Sequence, residues 1–479
     1  MQQHATRESK QLNSLSATQM VAGIRSGEIK PTELIEAHLE RIEKLNPKLN
    51  AFVHVDAEEA RRQAKAAETA VQSGEKLGAL HGVPLTIKSS IDVKGWGCTC
   101  GSRLRADYVA GSDAPLVSRL REAGAILLGN TNTPELLMAY ETDNALAGRT
   151  NNPWDLSRTP GGSSGGEAAA IAARCSAGGV GSDGGGSVRV PAHFSGICGL
   201  KPTPGRIPAT GHFPESAGPF ALLGVVGPMA RTAEDVRLLF EIMAGPDDGD
   251  PMSAPVPLQN ARPEEVRHLR VGFFEEDGRI PVTKEIRAAV RTAASALRDA
   301  GHAVEEFVPP ELEKVRSIWW NLFGRAGQVA LGPMCEGRES ELSPILQEFI
   351  GVVSAEPRLT TEEFMSTLLE RDAVRARFLR QMQKYPILIC PVCAVPAFGH
   401  GEREWKIEGR TVGYLDAMSY SQWFNALGNP AAVVPVGRSP EGLPIGVQVV
   451  GRPFEEELVL AFAQEIESRC GAIGEPPLV

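Results

Sequence analysis

Two glycine clusters flank one small-residue helix between Thr159 and Val188, and this pattern constrains the fold more than any other feature of the chain. Gly161-Gly-Ser-Ser-Gly-Gly166 opens the Ala-rich stretch Glu167–Arg174, and Gly178 to Gly186 is again dense in glycine, which predicts two loops around one helix. Residues without Cβ atoms let backbone or substrate approach closely and let successive N–H groups turn toward one point. Gly181-Ser-Asp-Gly-Gly-Gly-Ser187 places a serine directly after three such residues. Acyl transfer needs that arrangement, with donors aimed at the oxyanion that develops after serine attack. Taken alone, the run is also readable as an ordinary flexible loop. A phosphate cradle is a third reading, although no G-x-x-x-x-G-K-[ST] pattern supports it.

The remaining chain alternates helices and strands. Ser16-Ala-Thr-Gln19 fits a capping box that opens a short helix ending near Gly27. A second helix starts at Pro31, with Leu34, Ile35, Leu39, Ile42 and Leu45 at helical spacing, and a third spans Asp56 to about Ser73. Val83-Pro-Leu-Thr-Ile-Lys88 reads as a short buried strand carrying a lysine at its end. Pro115–Ala123 follows as a helix, Ala125–Leu128 as a strand and Thr232–Met243 as a helix. The loop Gly245–Pro255 leads into the strand Val271–Phe274 and the helix Thr283–Ala300, and 245–265 reads as a seam, not as a domain boundary. Glu311 to about Tyr385 is mostly helical; Tyr385–Ile389, Ala431–Pro435 and Gly446–Val450 are strands, and Glu455–Ser468 is the last helix. Such alternation predicts an α/β layer fold around a largely buried sheet.

Several function classes drop out. A net charge of −10 with no Lys/Arg run argues against nucleic acid, whose phosphates demand a basic face. No stretch reaches the roughly 18 consecutive apolar residues of a membrane span, and Met1–Asn13 is polar, without the apolar core of a signal peptide. The expectation is a cytoplasmic enzyme. Cys390-Pro-Val-Cys393 and Cys98-Thr-Cys100 have no second pair or His ligands nearby, so buried free thiols are expected and no metal or cofactor is called for.

Gly161-Gly-Ser163-Ser-Gly165 also satisfies the G-x-S-x-G elbow of α/β hydrolases, but Arg158-Thr-Pro160 is poor strand material and no histidine sits in a triad context. A wider comparison of motifs points elsewhere. Pro160-Gly-Gly-Ser-Ser-Gly-Gly166, then Gly181-Ser-Asp-Gly-Gly-Gly-Ser-Val-Arg-Val-Pro191 and Gly196-Ile-Cys-Gly-Leu-Lys-Pro-Thr203, resemble the amidase signature family. So do Gly82-Val-Pro-Leu-Thr-Ile-Lys88, Gly129-Asn-Thr-Asn132, Gly227-Pro-Met-Ala-Arg-Thr232, Gly428-Asn-Pro and Gly442-Leu-Pro-Ile-Gly-Val-Gln448. The likeness covers nearly the whole chain and is weakest over 250–385.

This resemblance implies the amidase signature fold, a large central mixed β-sheet covered by helices on both faces, as a single domain over 1–479. Within it, 1–75 forms an N-terminal helical layer, 76–245 the signature core and 310–385 a divergent helical segment that bears the substrate pocket. It further implies a Ser–cis-Ser–Lys triad. Ser187 matches the nucleophile, Ser163 (24 residues upstream) the bridging serine after a cis Gly162–Ser163 bond, and Lys88 the lysine. The adjacent Ser164 is the rival of Ser163. The N–H groups of Gly184, Gly185, Gly186 and Ser187 are the oxyanion-hole candidates, while Asp183 and Arg189 read as a structural pair and Glu167 as a helix-starting acid. Leu137, Tyr140, Trp319 and Trp320, with Phe323, are the candidates for an apolar pocket.

Activity is expected on small-molecule amides, hydrophobic or aryl, with ester and carbamate (urethane) cleavage by the same acyl-enzyme route. The alternative is a glutamine-hydrolysing A subunit of a tRNA amidotransferase. The expected assembly is a monomer or homodimer.

Overall fold

The computed structural model describes residues 12–261, 266 and 268–478; the polar stretch 1–11 and residues 262–265 of the 245–265 seam lie outside them. The N-terminal elements follow their local signals. Ser16 caps the helix Ala17–Ser26 through a capping box with Gln19, and Gly27 ends it in the left-handed conformation at φ 79°. The Asp235 carboxylate also accepts from the Ala17 and Thr18 N–H groups at 2.9 Å, which ties this helix to the core.

Helices Pro31–Leu49 and Ala57–Gln72 come next, and between them lies an element the helical reading of 1–75 lacked. Phe52–Val55 is strand β1 at one edge of the sheet. The apolar face of Pro31–Leu49 packs with Phe52 onto Ile126, Leu128, Ala169 and Ala170, so this layer rests directly on the small-residue helix of the glycine region.

The sheet has eleven strands in the order β1-β3-β2-β4-β6-β5-β12-β13-β9-β7-β8 and is flanked by helices. In chain order after β1, the strands are β2 (Pro84–Lys88), β3 (Ile126–Thr131), β4 (Gly178–Asp183), β5 (Cys198–Lys201), β6 (Val225–Ala230), β7 (Arg270–Phe273), β8 (Ala303–Glu306) and β9 (Ile387–Pro391). The hairpin β10 (Glu404–Ile407) and β11 (Arg410–Gly413) stands apart, and β12 (Ala431–Arg438) and β13 (Pro444–Val450) complete the sheet. Parallel pairing joins β3-β2-β4 and β9-β7-β8, while the middle from β4 to β9 is antiparallel. β2, which ends at Lys88, and β4, which leads toward Ser187, are wholly buried.

The second glycine cluster is not a loop along most of its length. Gly178–Asp183 is strand β4, paired on one side with β2 and on the other with β6. Its glycines answer crowding, because a Cβ on Gly179 would fall on the Glu167 carboxylate and one on Gly181 would stand 2.7 Å from Ser164 Oγ. The signature helix, Gly165–Ala172, thus lies closer to the sheet than side chains would permit, and only Gly184–Ser187 turns out of the strand.

The cysteines are free, and both members of the Cys390/Cys393 pair are buried. Among the described residues, no helix is long and apolar enough to cross a membrane.

Candidate active site

The parallel pairing of β2 with β4 brings Lys88, at the end of β2, beside Ser182. The turn before the signature helix supplies the other partners. Gly161 takes φ 89°, Gly162–Ser163 is a cis bond, and a Cβ on Gly162 would stand 2.6 Å from Ala139 O. Lys88 Nζ then lies 2.7 Å from Ser163 Oγ, 2.9 Å from Ser164 Oγ and 2.9 Å from Ser182 Oγ, with Ser182 O at 3.4 Å. Three hydroxyls and no carboxylate surround the amine, an arrangement that suits a neutral amine better than an ammonium. Burial pushes its pKa down from the usual lysine value to about 7, against the pull of Cys100, Asp183 and Glu167.

The two adjacent serines separate by their surroundings. Ser164 Oγ accepts from Ser182 N–H and donates to Ser182 O, both at 3.3 Å, and faces the sheet. Ser163, in contrast, lines a cavity together with Ser182, Asp183, Gly184 and Ser187. Lys88 and Ser163 are buried, and Ser187 is 9% exposed. Ser182 was not singled out from the sequence; its only signal is its place in β4, opposite the lysine strand.

Glu167 does more than start a helix. It sits in the first turn of Gly165–Ala172, but its carboxyl is buried, accepting from Thr86 of β2 and, at 2.7 Å, from Thr131 of β3. Burial raises its pKa to about 7 despite those hydroxyls and the nearby Lys88.

Asp183 and Arg189 form the expected pair, fully buried. Arg189 donates from Nε to Oδ2 at 3.0 Å and from Nη2 to Oδ1 at 2.9 Å, and its Nη1 reaches Gln448 Oε1 at 2.7 Å. Burial would raise the Asp183 pKa, but the guanidinium overrides it and holds the carboxyl well below the usual range. Asp183 also accepts from Gly186 N–H at 2.7 Å and Val188 N–H at 3.1 Å. Gly186 is therefore corrected: a carboxylate already occupies its N–H, and at φ 124° it serves to bend the chain. Gly184, Gly185 and Ser187 are left as candidate donors.

Ser187 borders two cavities. The one shared with Ser163 also includes His212, Phe220 and Phe323. The other is mostly apolar, with Met138, Tyr140, Gly185, Trp319, Phe323 and Phe349 on its walls. Leu137, in left-handed backbone at φ 67°, contributes to both.

Of the five predicted pocket residues, Trp320 is misplaced. Its indole donates to Glu356 Oε1 at 2.8 Å, packs over Gly324 and lines a separate depression with Arg316 and Asn321. Consecutive helical residues point about 100° apart, so although both indoles border that depression, only Trp319 reaches the Ser187 cavity. Phe323 takes the place beside it. Asn321–Arg325 widens into a π turn, with Ala326 N–H bonded to Asn321 O at 2.8 Å, and the Phe323 ring stacks on Trp319 at 4.7 Å.

A mixed sheet thus presents a buried lysine, a cis-linked serine and a serine after a glycine turn, the features that marked the amidase signature resemblance. The comparisons agree. The Amidase family model matches residues 33–460, and the chain belongs to that family as an amide hydrolase. It is 36% identical over 465 residues to an indoleacetamide hydrolase of Bradyrhizobium diazoefficiens, covering 96% of this chain and 87% of that one. It is likewise 36% identical over 466 residues to an acylamidase of Rhodococcus erythropolis, at 95% and 96% coverage. The solved structure of a bacterial aryl acylamidase of the amidase signature family superposes with a TM-score of 0.84 at 28% identity, over 95% of this chain and 96% of that one.

Proposed function

We propose that the chain hydrolyses hydrophobic or aryl amides through an acyl-enzyme on Ser187, with Ser163 and Lys88 moving the proton. The observation that carries this reading is the buried amine of Lys88, 2.7 Å from the hydroxyl of Ser163, which shares a cavity with Ser187. Neutral Lys88 takes the proton of Ser163 Oγ as Ser163 takes that of Ser187. Ser187 Oγ bonds to the carbonyl carbon, and the π electrons move to its oxygen, toward the amides of Gly184, Gly185 and Ser187. The proton then returns through Ser163 to the nitrogen as the C–N bond breaks, and water repeats the sequence to release the acid. Esters and carbamates enter the same route, since only the leaving group differs.

The apolar walls of the second cavity support a hydrophobic acyl or aryl group, as do relatives named for indoleacetamide and for aryl acylamides. In this reading the helical segment 310–385 contributes the pocket, and one domain carries the whole site.

Purified chain alone is expected to release nitroaniline from an arylacetyl nitroanilide, and Ser187→Ala to lose both turnover and labelling by a fluorophosphonate. Undiminished labelling of Ser187→Ala would move the nucleophile elsewhere. Glutaminase activity that needs a second subunit, with no anilide turnover, would return the chain to the amidotransferase reading.

A further inference from the structure

The two rings that wall the apolar cavity have their polar ends on the glycine turn. Trp319 Nε1 donates to Gly184 O at 2.8 Å, and Tyr140 Oη donates to Gly185 O at 2.9 Å. Ser421 Oγ donates to the same Gly185 O at 2.8 Å, and Gln422 Nε2 holds Tyr140 Oη at 3.0 Å. The glycines make this approach possible. A Cβ on Gly185 would stand 2.6 Å from Trp319 Cζ2 and 2.9 Å from Tyr140 Oη, and one on Gly184 would stand 3.0 Å from Phe323 Cε2. In a trans peptide the C=O of one residue and the N–H of the next lie in one rigid plane and point opposite ways. Fixing Gly184 O therefore fixes the direction of Gly185 N–H. Fixing Gly185 O fixes that of Gly186 N–H, which Asp183 holds from the other side.

We propose that Trp319 is a positioning residue that sets the Gly185 oxyanion amide through Gly184 O, with Tyr140 anchoring the next peptide of the turn, and that an apolar group seated against their rings tightens that grip. The substrate's hydrophobic part is then felt in kcat as well as in KM. This inference rests on Ser187 as the nucleophile. The rings offer their apolar faces to the cavity and their N–H and O–H to the loop, so contact with substrate and control of the donors run through the same side chains. Trp319 is braced for this by its stack on Phe323, which also borders the Ser163 cavity. Binding energy from a non-reacting group is in this way spent on aligning the donors that act in the transition state.

The test compares Trp319→Phe, which keeps an aromatic wall and removes the N–H, with Trp320→Phe, whose indole bonds Glu356 instead. For a phenylacetyl anilide, Trp319→Phe is expected to lower kcat roughly tenfold to thirtyfold with KM within about twofold. Trp320→Phe leaves both within about twofold. The kcat advantage of phenylacetyl over acetyl anilide in the unaltered chain shrinks toward one in Trp319→Phe. A trifluoromethyl ketone that forms a tetrahedral adduct loses affinity by the same factor as kcat, while the product acid does not.

A rise in KM at unchanged kcat would reduce Trp319 to a wall and overturn the proposal. So would equal losses in the two tryptophan variants, or the absence of any acyl-size effect on kcat in the unaltered chain. If Trp319→Phe does not fold, the acyl-size effect on kcat in the unaltered chain decides by itself, its presence supporting the proposal and its absence overturning it. Anilide turnover retained by Ser187→Ala is a separate failure, that of the nucleophile itself.

Discussion

The signature region around β2 and β4 and the helical stretch 312–381 both reach Ser187, but by different physical means. In the first, backbone lies against backbone, polar groups are buried and paired, and glycine is required where a Cβ would collide. In the second, amphipathic helices bring a few rings to a cavity, and most of their other residues face water. Position in sequence determines function in the first region. In the second, function depends on which side of a helix a residue occupies.

The largest expected effect falls on the buried pair. Arg189→Met leaves the Asp183 carboxyl without its guanidinium in a site closed to water, and the chain should lose about 3–5 kcal/mol of stability. Denaturant unfolding of the variant measures this, and a loss under about 1 kcal/mol would mean that Asn425, whose Nδ2 donates to Asp183 O at 3.0 Å and to its Oδ1 at 2.9 Å, holds the turn by itself. Gly179→Ala comes next. Its methyl group would collide with the Glu167 carboxylate, so the signature helix must lift from β4, at a cost of about 3 kcal/mol. An unshifted thermal midpoint in Gly179→Ala would show that the helix can move freely, and the contrast between the two regions would weaken.

A third prediction concerns pH. Lys88 is charged below its pKa of about 7 and neutral above it, and only the neutral amine accepts a proton. Activity should therefore rise with pH, with kcat/KM falling about tenfold per unit below that point. Cys100, Asp183 and Glu167 oppose the shift that burial imposes, from outside the ring of hydroxyls around the amine. Activity flat through pH 7 would assign the proton-accepting role to another group.

Legibility in the sequence follows the same division. Lys88, Ser163 and Ser187 could be proposed because backbone-crowded motifs tolerate few residues, and the Amidase family match spans all three. The strand character of Gly178–Asp183 was hidden, since glycine reads as loop whenever the neighbour that forbids a Cβ is remote in sequence, as Glu167 is from Gly179. β1 was hidden too, because four residues between long helices carry no period, and so was β8, an edge strand with polar exposure. The engagement of Gly186 N–H by Asp183 depends on a turn geometry that no residue pattern specifies. Trp319 and Trp320 are adjacent and chemically identical, and only the helix phase decides which reaches the cavity.

The smallest effect tests the contrast most sharply, because it repeats one substitution in the other region. Gly351 lies in the helix Pro344–Ser354, exposed, and a Cβ placed on it meets nothing within 4 Å. Glycine inside a helix gives up more backbone freedom on folding than alanine does, with no packing reason here to keep it. Gly351→Ala is accordingly expected to stabilise the chain by about 0.5–1 kcal/mol, opposite in sign to Gly179→Ala, with turnover unchanged. A destabilised Gly351→Ala would mean that this face of the segment is covered in solution, and the helices around the cavity would then have to be counted with the crowded core.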